Sequence, residues 1–293
     1  MKKRLKMKDL GVVLLASVSL LLTACNSKDS NETPQNESNS EPISVISREQ
    51  GSGTRTAFVE ITGILEKNDS GEETDNTSEE ATVQNSTEAV LNAVSNDKNA
   101  IGYVSLGSLN DTVKSLLVDG VEATAANVKD GSYKIQRPFN IVYKDGASAE
   151  VLDFLKYIES DEGQKVIEEM GYVSDVKGIT YEALDSNAKI TIAGSTSITP
   201  LMEKLTEAYK VFNPNFQVDI QATGSSAGVK SVQEDSAEIG MVSRELKDSE
   251  SDLKSAVIAR DGIAVIVNKE AEVEDLSLEK IKDIFEGTQT SWK

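Results

Sequence analysis

The chain has 293 residues, a formal net charge of −19, one cysteine and no histidine. This length is enough for one or two domains with their own cores, and the acidic balance disfavours nucleic-acid binding, which needs a basic face. Without histidine, zinc and haem sites and histidine-based nucleophilic catalysis lack their usual ligand or base. We therefore expect a protein that is not an enzyme and that holds no metal or cofactor.

The N-terminus predicts an exported lipoprotein. Residues 1–24 combine a basic start with an apolar run too short to span a bilayer, as in a signal peptide. The Leu22-Thr-Ala-Cys25 ending resembles a bacterial lipobox, which implies cleavage before Cys25 and a lipid on its sulfur. The alternative is an ordinary secreted protein with an unmodified cysteine. Loss of residues 1–24, with five basic residues and one acidic residue, lowers the charge from −19 to −23.

A polar segment separates the cysteine from the first predicted strand. Together with Cys25, residues 26–42 form a predicted disordered tether, since they lack large apolar side chains. We expect the protein to be lipid-anchored on the extracellular face of a bacterial cytoplasmic membrane.

The first strand, over 43–47, predicts an anion site. It leads through Arg48 and Gly51-Ser-Gly-Thr54 into a helix over 53–65. A helix N-terminus attracts anions because its first N–H groups lack partners and the helix dipole is positive there. Arg48 adds a planar guanidinium that suits a tetrahedral oxyanion. The binding candidates here are Arg48, Ser52, Gly53 and Thr54.

The middle of the chain is predicted to contain alternating helices and strands, from which no further candidate ligands are taken. In chain order these are an exposed loop over 66–82, a helix capped by Ser86 or Thr87, a strand over 101–106, short strands and turns over 108–137, a strand over 139–143, a helix over about 148–170 and a linker over 171–188.

Two more strand-to-helix corners follow. One is Ile190–Pro200, where Thr199 is predicted to cap a helix with Pro200 at its first position, and the other is Val218–Gly228. Additional strands are predicted over 217–222, 238–242 and 263–268, and Ser277 starts a last helix. Strands alternating with helices indicate an α/β protein, in which ligands sit beyond the carboxyl ends of strands. A single Ser or Thr at such a corner is more often a cap than a ligand. Three corners together with Arg48 favour one shared oxyanion.

Several motifs resemble one transporter family. Ala193-Gly-Ser-Thr-Ser197, Ala222-Thr-Gly-Ser-Ser226, Glu238–Arg244 and Asp261–Val265 resemble the first lobe of the phosphate-binding lipoprotein of the phosphate ABC transporter. Residues 43–144 and 274–293 resemble its second lobe, and 148–172 its C-terminal helices. The resemblance implies a two-lobed periplasmic-binding-protein type II fold with phosphate in the interlobe cleft. It also implies a membrane permease as partner and a monomeric state.

The matching segments occur in rotated order. The family's usual order would begin near residue 189 and would join Lys293 to Ile43, so we interpret the chain as a circular permutant. Lobe two would comprise 43–141 and 272–293, and lobe one 142–271, with 173–188 as the joint between the family's usual ends. Two crossings are expected, near 138–148 and 265–274. A truncated tandem duplication or a gene-model artefact is the alternative.

The resemblance also implies a ligand set. It comprises Arg48, Ser52, Gly53, Thr54, Ser195, Thr196, Ser197, Ser225 and Ser243. Many family members have an aspartate at the place where this chain reads Ser243-Arg244, and that aspartate accepts a hydrogen bond from protonated phosphate. Glu49, Arg244 and Ser226 are possible additional ligands here. Without a matching aspartate, another oxyanion such as sulfate, molybdate or tungstate stays open, as does a phosphate-sensing surface lipoprotein without transport.

Overall fold

The computed structural model describes residues 42–68, 70–174, 179–184 and 189–292. The predicted signal peptide, Cys25 and the tether up to residue 41 lie outside the described residues, as do 175–178 and 185–188 of the predicted joint. Within the described ranges, no helix combines the length and apolarity needed to cross a membrane.

Strands and helices alternate along most of the chain. The strands are β1 (Ser44–Arg48), β2 (Leu65–Lys67), β3 (Glu73–Asp75), β4 (Thr82–Gln84), β5 (Ala100–Ser105), β6 (Val113–Ser115), β7 (Leu117–Val118), β8 (Gln136–Tyr143), β9 (Lys189–Gly194), β10 (Gln217–Ala222), β11 (Ile239–Val242), β12 (Lys254–Asn268) and β13 (Asp275–Leu276). The α-helices are α1 (Gly53–Thr62), α2 (Thr87–Asn96), α3 (Ala125–Lys129), α4 (Ala149–Glu159), α5 (Asp161–Glu169), α6 (Thr199–Tyr209), α7 (Ser225–Gln233) and α8 (Leu278–Glu286). Short 3₁₀ turns lie at Leu106–Ser108 and Asp248–Glu250.

One mixed sheet of nine strands connects the molecule. Its order is β10-β9-β11-β8-β12-β5-β1-β4, with β6 paired to β12. The strands on each flank run parallel to one another, whereas β8 and β12 are antiparallel to each other and to their neighbours. The predicted α/β class is confirmed.

Two large apolar cores lie on either side of the β8–β12 pair. The first is organised by stacked Phe58 and Tyr103, whose ring centroids lie 4.0 Å apart. The second contains Phe154, Tyr157 and Tyr209. We call the elements β1–α3, β13 and α8 the first half, and α4–α7 with β9–β11 the second half. Burial of this much apolar surface is the main force holding each half together.

The strands β8 and β12 belong to both cores. Along β12, Ala259 packs in the second core and Ile263 in the first. On the other strand, Ile135 lies in the first core and Phe139 in the second. The changes of core therefore fall at 135–139 and 259–263, earlier than the crossings predicted near 138–148 and 265–274. Residues 263–267, assigned from sequence to lobe one, pack with the first half, and 139 and 141, assigned to lobe two, pack with the second.

Several predicted boundaries are wrong for local reasons. The helix predicted over 53–65 ends at Thr62, because Gly63 adopts a left-handed conformation with φ 74°. The predicted loop over 66–82 contains the hairpin of β2 and β3. The strand predicted at 263–268 begins already at Lys254.

Two further predictions about helix boundaries differ from the structure. The helix predicted over 148–170 is broken at Ser160, which ends α4 and caps α5 by accepting a hydrogen bond from Gly163 N. Thr199 does not cap α6: it is the first helical residue, Pro200 is the second, and the Thr199 hydroxyl donates to the Ser195 carbonyl.

Candidate functional site

Four helices begin around one point of the structure. In the first half α1 follows β1 and α2 follows β4, and in the second half α6 follows β9 and α7 follows β10. The hydroxyls of Thr54 and Ser197 lie 2.9 Å apart, so the starts of α1 and α6 meet directly. A Cβ at Gly53 would lie 2.3 Å from Ser225 Oγ, which places the start of α7 against that of α1. Positive helix ends therefore converge from both halves.

Arg48 provides the cation at this point. It ends β1, is 2% exposed, and donates from Nη2 to Thr196 Oγ1 at 3.1 Å. Its Nε and Nη2 also donate to the Glu49 carboxylate at 2.8 and 2.9 Å. Since the pair carries no net charge, anion binding here depends on hydrogen-bond donors and dipoles.

Arg55 fixes the main chain of Arg48. Arg55 Nη1 donates to the Arg48 carbonyl at 2.7 Å, and its Nε pairs with Asp75 Oδ2 at 2.8 Å. Burial raises the pKa of Asp75, but hydrogen bonds from Arg55 and Thr77 outweigh it and hold that pKa below its usual value. The carboxylate thus stays ionised and anchors Arg55.

Buried serines of the second half line one side of the site. Ser195 Oγ donates to Ser243 Oγ at 2.8 Å and accepts from Ser197 N at 3.2 Å. Ser225 Oγ accepts from Ser243 N at 3.1 Å and lies 3.3 Å from Ser243 Oγ. All four are almost entirely buried. Hydroxyls can rotate, so the same groups can donate to an anion placed among them.

The structure brings together most of the residues predicted from sequence. Arg48, Gly53, Thr54, Ser195, Thr196, Ser197, Ser225 and Ser243 meet at the four helix starts. Ser52 is buried there too, but its hydroxyl caps α1 by accepting from Arg55 N at 3.3 Å. The backbone N–H of Ser226 donates to the Gly51 carbonyl of the other half.

Two possible additional ligands are placed differently from expectation. The Arg244 terminal nitrogens pair with Glu250 at 2.7 and 2.8 Å, and among the described residues no side-chain hydrogen bond joins this guanidinium to the hydroxyls around Arg48. Neighbours in an extended strand face opposite ways, which would turn Glu49 away from the side of Arg48. However, β1 ends at Arg48, and outside the strand Glu49 folds back onto the guanidinium.

Thr87 is a site residue that sequence reasoning missed. Its hydroxyl lies 3.2 Å from Thr196 Oγ1, 3.1 Å from Ser197 Oγ and 3.5 Å from Arg48 Nη1. In the structure Asn85-Ser-Thr87 follows β4 and is another strand-to-helix corner with hydroxyls, but no strand is predicted there from sequence. It was interpreted only as a helix cap.

A buried ion pair supports the site from between the halves. Arg137 of β8 pairs with Asp261 of β12 at 3.0 Å and donates to the Ser243 carbonyl at 3.0 Å. Asp261 also accepts from Ser105 Oγ and Leu106 N of the first half. Burial raises the pKa of Asp261 to about 6 against the pull of Arg137, and lowers that of Arg137. Burying both ions is costly, and the pair connects the Ser243 carbonyl of the second half with Ser105 and Leu106 of the first.

The site is rich in groups that bind anions. In the described ranges, no cluster of three or more acidic or cysteine side chains could hold a metal ion. Hydroxyls, N–H groups and one guanidinium together offer many donors to a small oxyanion.

Known proteins match the whole chain. A family model described as a PBP superfamily domain matches residues 27–162 and 180–293. The phosphate-binding protein PstS 2 of Streptococcus agalactiae serotype V is 49% identical over 295 residues, which cover 100% of this chain and 98% of that protein. PstS 2 of Streptococcus pneumoniae serotype 4 is 46% identical over 291 residues, covering 98% and 99%. The crystal structure of the phosphate-binding protein of a phosphate ABC transporter from S. pneumoniae TIGR4 is 48% identical, covers 86% of this chain and 98% of its own, and has a TM-score of 0.69.

Asp261→Asn tests the supporting ion pair. The substitution leaves the buried Arg137 without its counter-charge, so the free energy of unfolding is expected to fall by about 3 kcal/mol. Urea unfolding measures this, with Glu207→Gln as the matched control, since that carboxylate belongs to an exposed pair with Lys204. The control should leave the urea midpoint close to that of the original chain, because an exposed ion pair contributes little to stability. Equal urea midpoints for the two variants would contradict the assignment.

Proposed function

This chain belongs to the PBP superfamily, and we propose that it captures inorganic phosphate where its four helices converge and delivers it to the permease of an ABC transporter. The observation that carries the proposal is the buried ring of hydroxyls around Arg48, drawn from both halves. Such a set of donors satisfies a tetrahedral oxyanion from all sides. The names of the similar proteins, which bind phosphate, support the same ligand.

The proposed ligand set combines side chains and backbone. Arg48 supplies the guanidinium, and the α1 start supplies its N–H groups. The residues involved are Arg48, Ser52, Gly53, Thr54, Ser195, Thr196, Ser197, Ser225 and Ser243. Each of these donor groups loses its bound water on burial. A bound anion gives a hydrogen-bond partner back to every donor that faces it.

The two halves are the proposed lobes, with the ligand in the cleft between them. Direct bonds join their facing edges: Ser226 N donates to the Gly51 carbonyl at 3.1 Å, and Thr54 meets Ser197. The strands β8 and β12 pass from one core to the other, which suits a hinge motion that opens and closes the cleft. In this scheme the closed form docks on the permease.

Glu49 is the proposed source of selectivity for phosphate over sulfate. At neutral pH phosphate keeps a proton that it can donate, and sulfate has none. A carboxylate beside the anion accepts that proton's hydrogen bond and repels sulfate. Glu49 is bonded to Arg48, and a Cβ at Gly224, beside the start of α7, would lie 3.5 Å from Glu49 Oε1. The carboxylate therefore reaches the edge of the site from the first half.

Location and assembly follow from the N-terminus and the proposed transport role. Cleavage before Cys25 with a lipid on its sulfur would hold the protein at the extracellular face of the cytoplasmic membrane. Since the site is complete within one chain, a monomer suffices for binding.

Circular permutation is the proposed origin of the segment order. Pro42 and Ser291 form an antiparallel bridge, and Ile43 N donates to the Thr290 carbonyl at 2.9 Å. The described residues on either side of the join that the family's usual order would make, 290–291 and 42–43, are therefore neighbours. The S. agalactiae protein aligns along the full chain in the same order, which disfavours a gene-model artefact.

Calorimetric titration tests the ligand. The protein is expected to bind phosphate one to one and sulfate at least about a hundredfold more weakly, because sulfate offers no proton to Glu49. Tight binding of sulfate, molybdate or tungstate would instead assign another oxyanion. Absence of any oxyanion binding would contradict the proposed function.

The variant Glu49→Gln tests the source of selectivity in the same titration. Loss of the carboxylate should weaken phosphate binding by about tenfold and improve sulfate binding, narrowing the difference between them. Glu122→Gln, a change of the same charge at an exposed position, is the control and should alter neither. Unchanged selectivity in Glu49→Gln would remove Glu49 from this role.

A reordered chain tests the permutation. It starts at Lys189, runs through Trp292 and a linker of about four residues into Pro42, and ends at Leu184. Because the joined positions are already neighbours, it should fold and bind phosphate within about threefold of the original. A chain opened instead between Val265 and Ile266, inside β12, is the control and should not fold. Failure of the first chain as well would argue against permutation.

A further inference from the structure

We infer that Thr87 is an additional ligand of the bound oxyanion, presented by the N-terminus of α2; this inference rests on the proposed function. It would give each half two helix starts at the anion, with α1 and α2 facing α6 and α7.

The position of Thr87 supports a direct contact. The residue is 5% exposed, and its hydroxyl lies within 3.1–3.5 Å of three proposed ligands, Arg48, Thr196 and Ser197. These three come from β1 and from the β9–α6 corner. An anion that touches all three is also within reach of the Thr87 hydroxyl.

The Thr87 side chain is not needed to cap its own helix. Ser86 performs that task, since its hydroxyl accepts from Ala89 N at 3.1 Å. The Thr87 hydroxyl instead points across to the second half, and its backbone N–H donates to Thr196 Oγ1 at 3.3 Å. Both donors of this residue are thus directed at the site.

The local chemistry favours donation to an anion. Arg48 Nη1 donates towards the Thr87 oxygen, so the Thr87 proton can be directed at Thr196, at Ser197 or at an anion between them. The first N–H groups of α2 also lack intrahelical partners, and the helix dipole adds positive potential. A charged acceptor gains more from such a donor than a neutral hydroxyl does.

Phosphate titration of the full chain, purified in detergent, tests the inference. Thr87→Val keeps the shape and removes the hydroxyl, and should raise the phosphate Kd by about tenfold to a hundredfold. Thr87→Ser keeps the hydroxyl and should stay within about threefold of the original. Thr62→Val is the matched control, because Thr62 of α1 is equally buried and bonds only to the Phe58 carbonyl.

Thermal unfolding separates ligation from a structural role. Without phosphate, the melting temperature of Thr87→Val should be close to that of Thr62→Val. Added phosphate should raise the melting temperature of Thr87→Val less than that of Thr62→Val. Thr87→Ala is a second hydroxyl-free variant, should valine not be accommodated, and must show the same loss.

Either of two results would overturn the inference. One is wild-type phosphate affinity in both hydroxyl-free variants. The other is an equal loss of affinity in Thr87→Ser, which retains the hydroxyl. Failure of the original chain to bind any oxyanion would instead refute the proposed function, so the two failures are distinguishable.

Discussion

Burial of hydrogen-bonding groups is the constraint on which the site depends. The hydroxyl-bearing residues around Arg48 lie out of water, and a buried donor without a partner is costly. In the structure the hydroxyls pair with one another across the two halves. A bound oxyanion can replace these pairings with stronger, charge-assisted ones. Affinity would thus arise in a strongly acidic protein without a basic surface.

The fold brings the starts of the four helices together at the site. Parallel strands on each flank of the sheet direct the helix starts to the same place, and β8 and β12 connect the two cores. The Arg137–Asp261 pair lies where these strands change core and holds Ser243 through its carbonyl. Since each half contributes whole strand-to-helix corners, the order of the segments along the chain is of little consequence for the site. This is why a permuted order is compatible with the proposed function.

Local chemistry made much of this predictable from sequence, and tertiary contacts account for the rest. The corners at Gly51–Thr54 and Ser195–Ser197 were found because strand-to-helix junctions with small polar residues have a local signature. Thr87 was missed because its pattern equals that of a cap, and only the fold places it beside Thr196. The pairing of Arg244 with Glu250 likewise depends on the path of the intervening turn. The changes of core coincide with polar interruptions of the strands, Gln136-Arg137-Pro138 in β8 and Arg260-Asp261-Gly262 in β12. Only the pairing of these two strands shows that the interruptions mark the passage from one core to the other.

A crystal structure of the protein with phosphate is the most direct test of the account. We expect one anion between Arg48, Thr54, Ser197 and Ser225, in direct contact with Thr87 and Glu49. The two halves should be in contact around it. Phosphate bound away from these residues would contradict convergence of the four helices on a single oxyanion. Phosphate held by Arg244, at a distance from the Arg48–Glu49 pair, would contradict it as well.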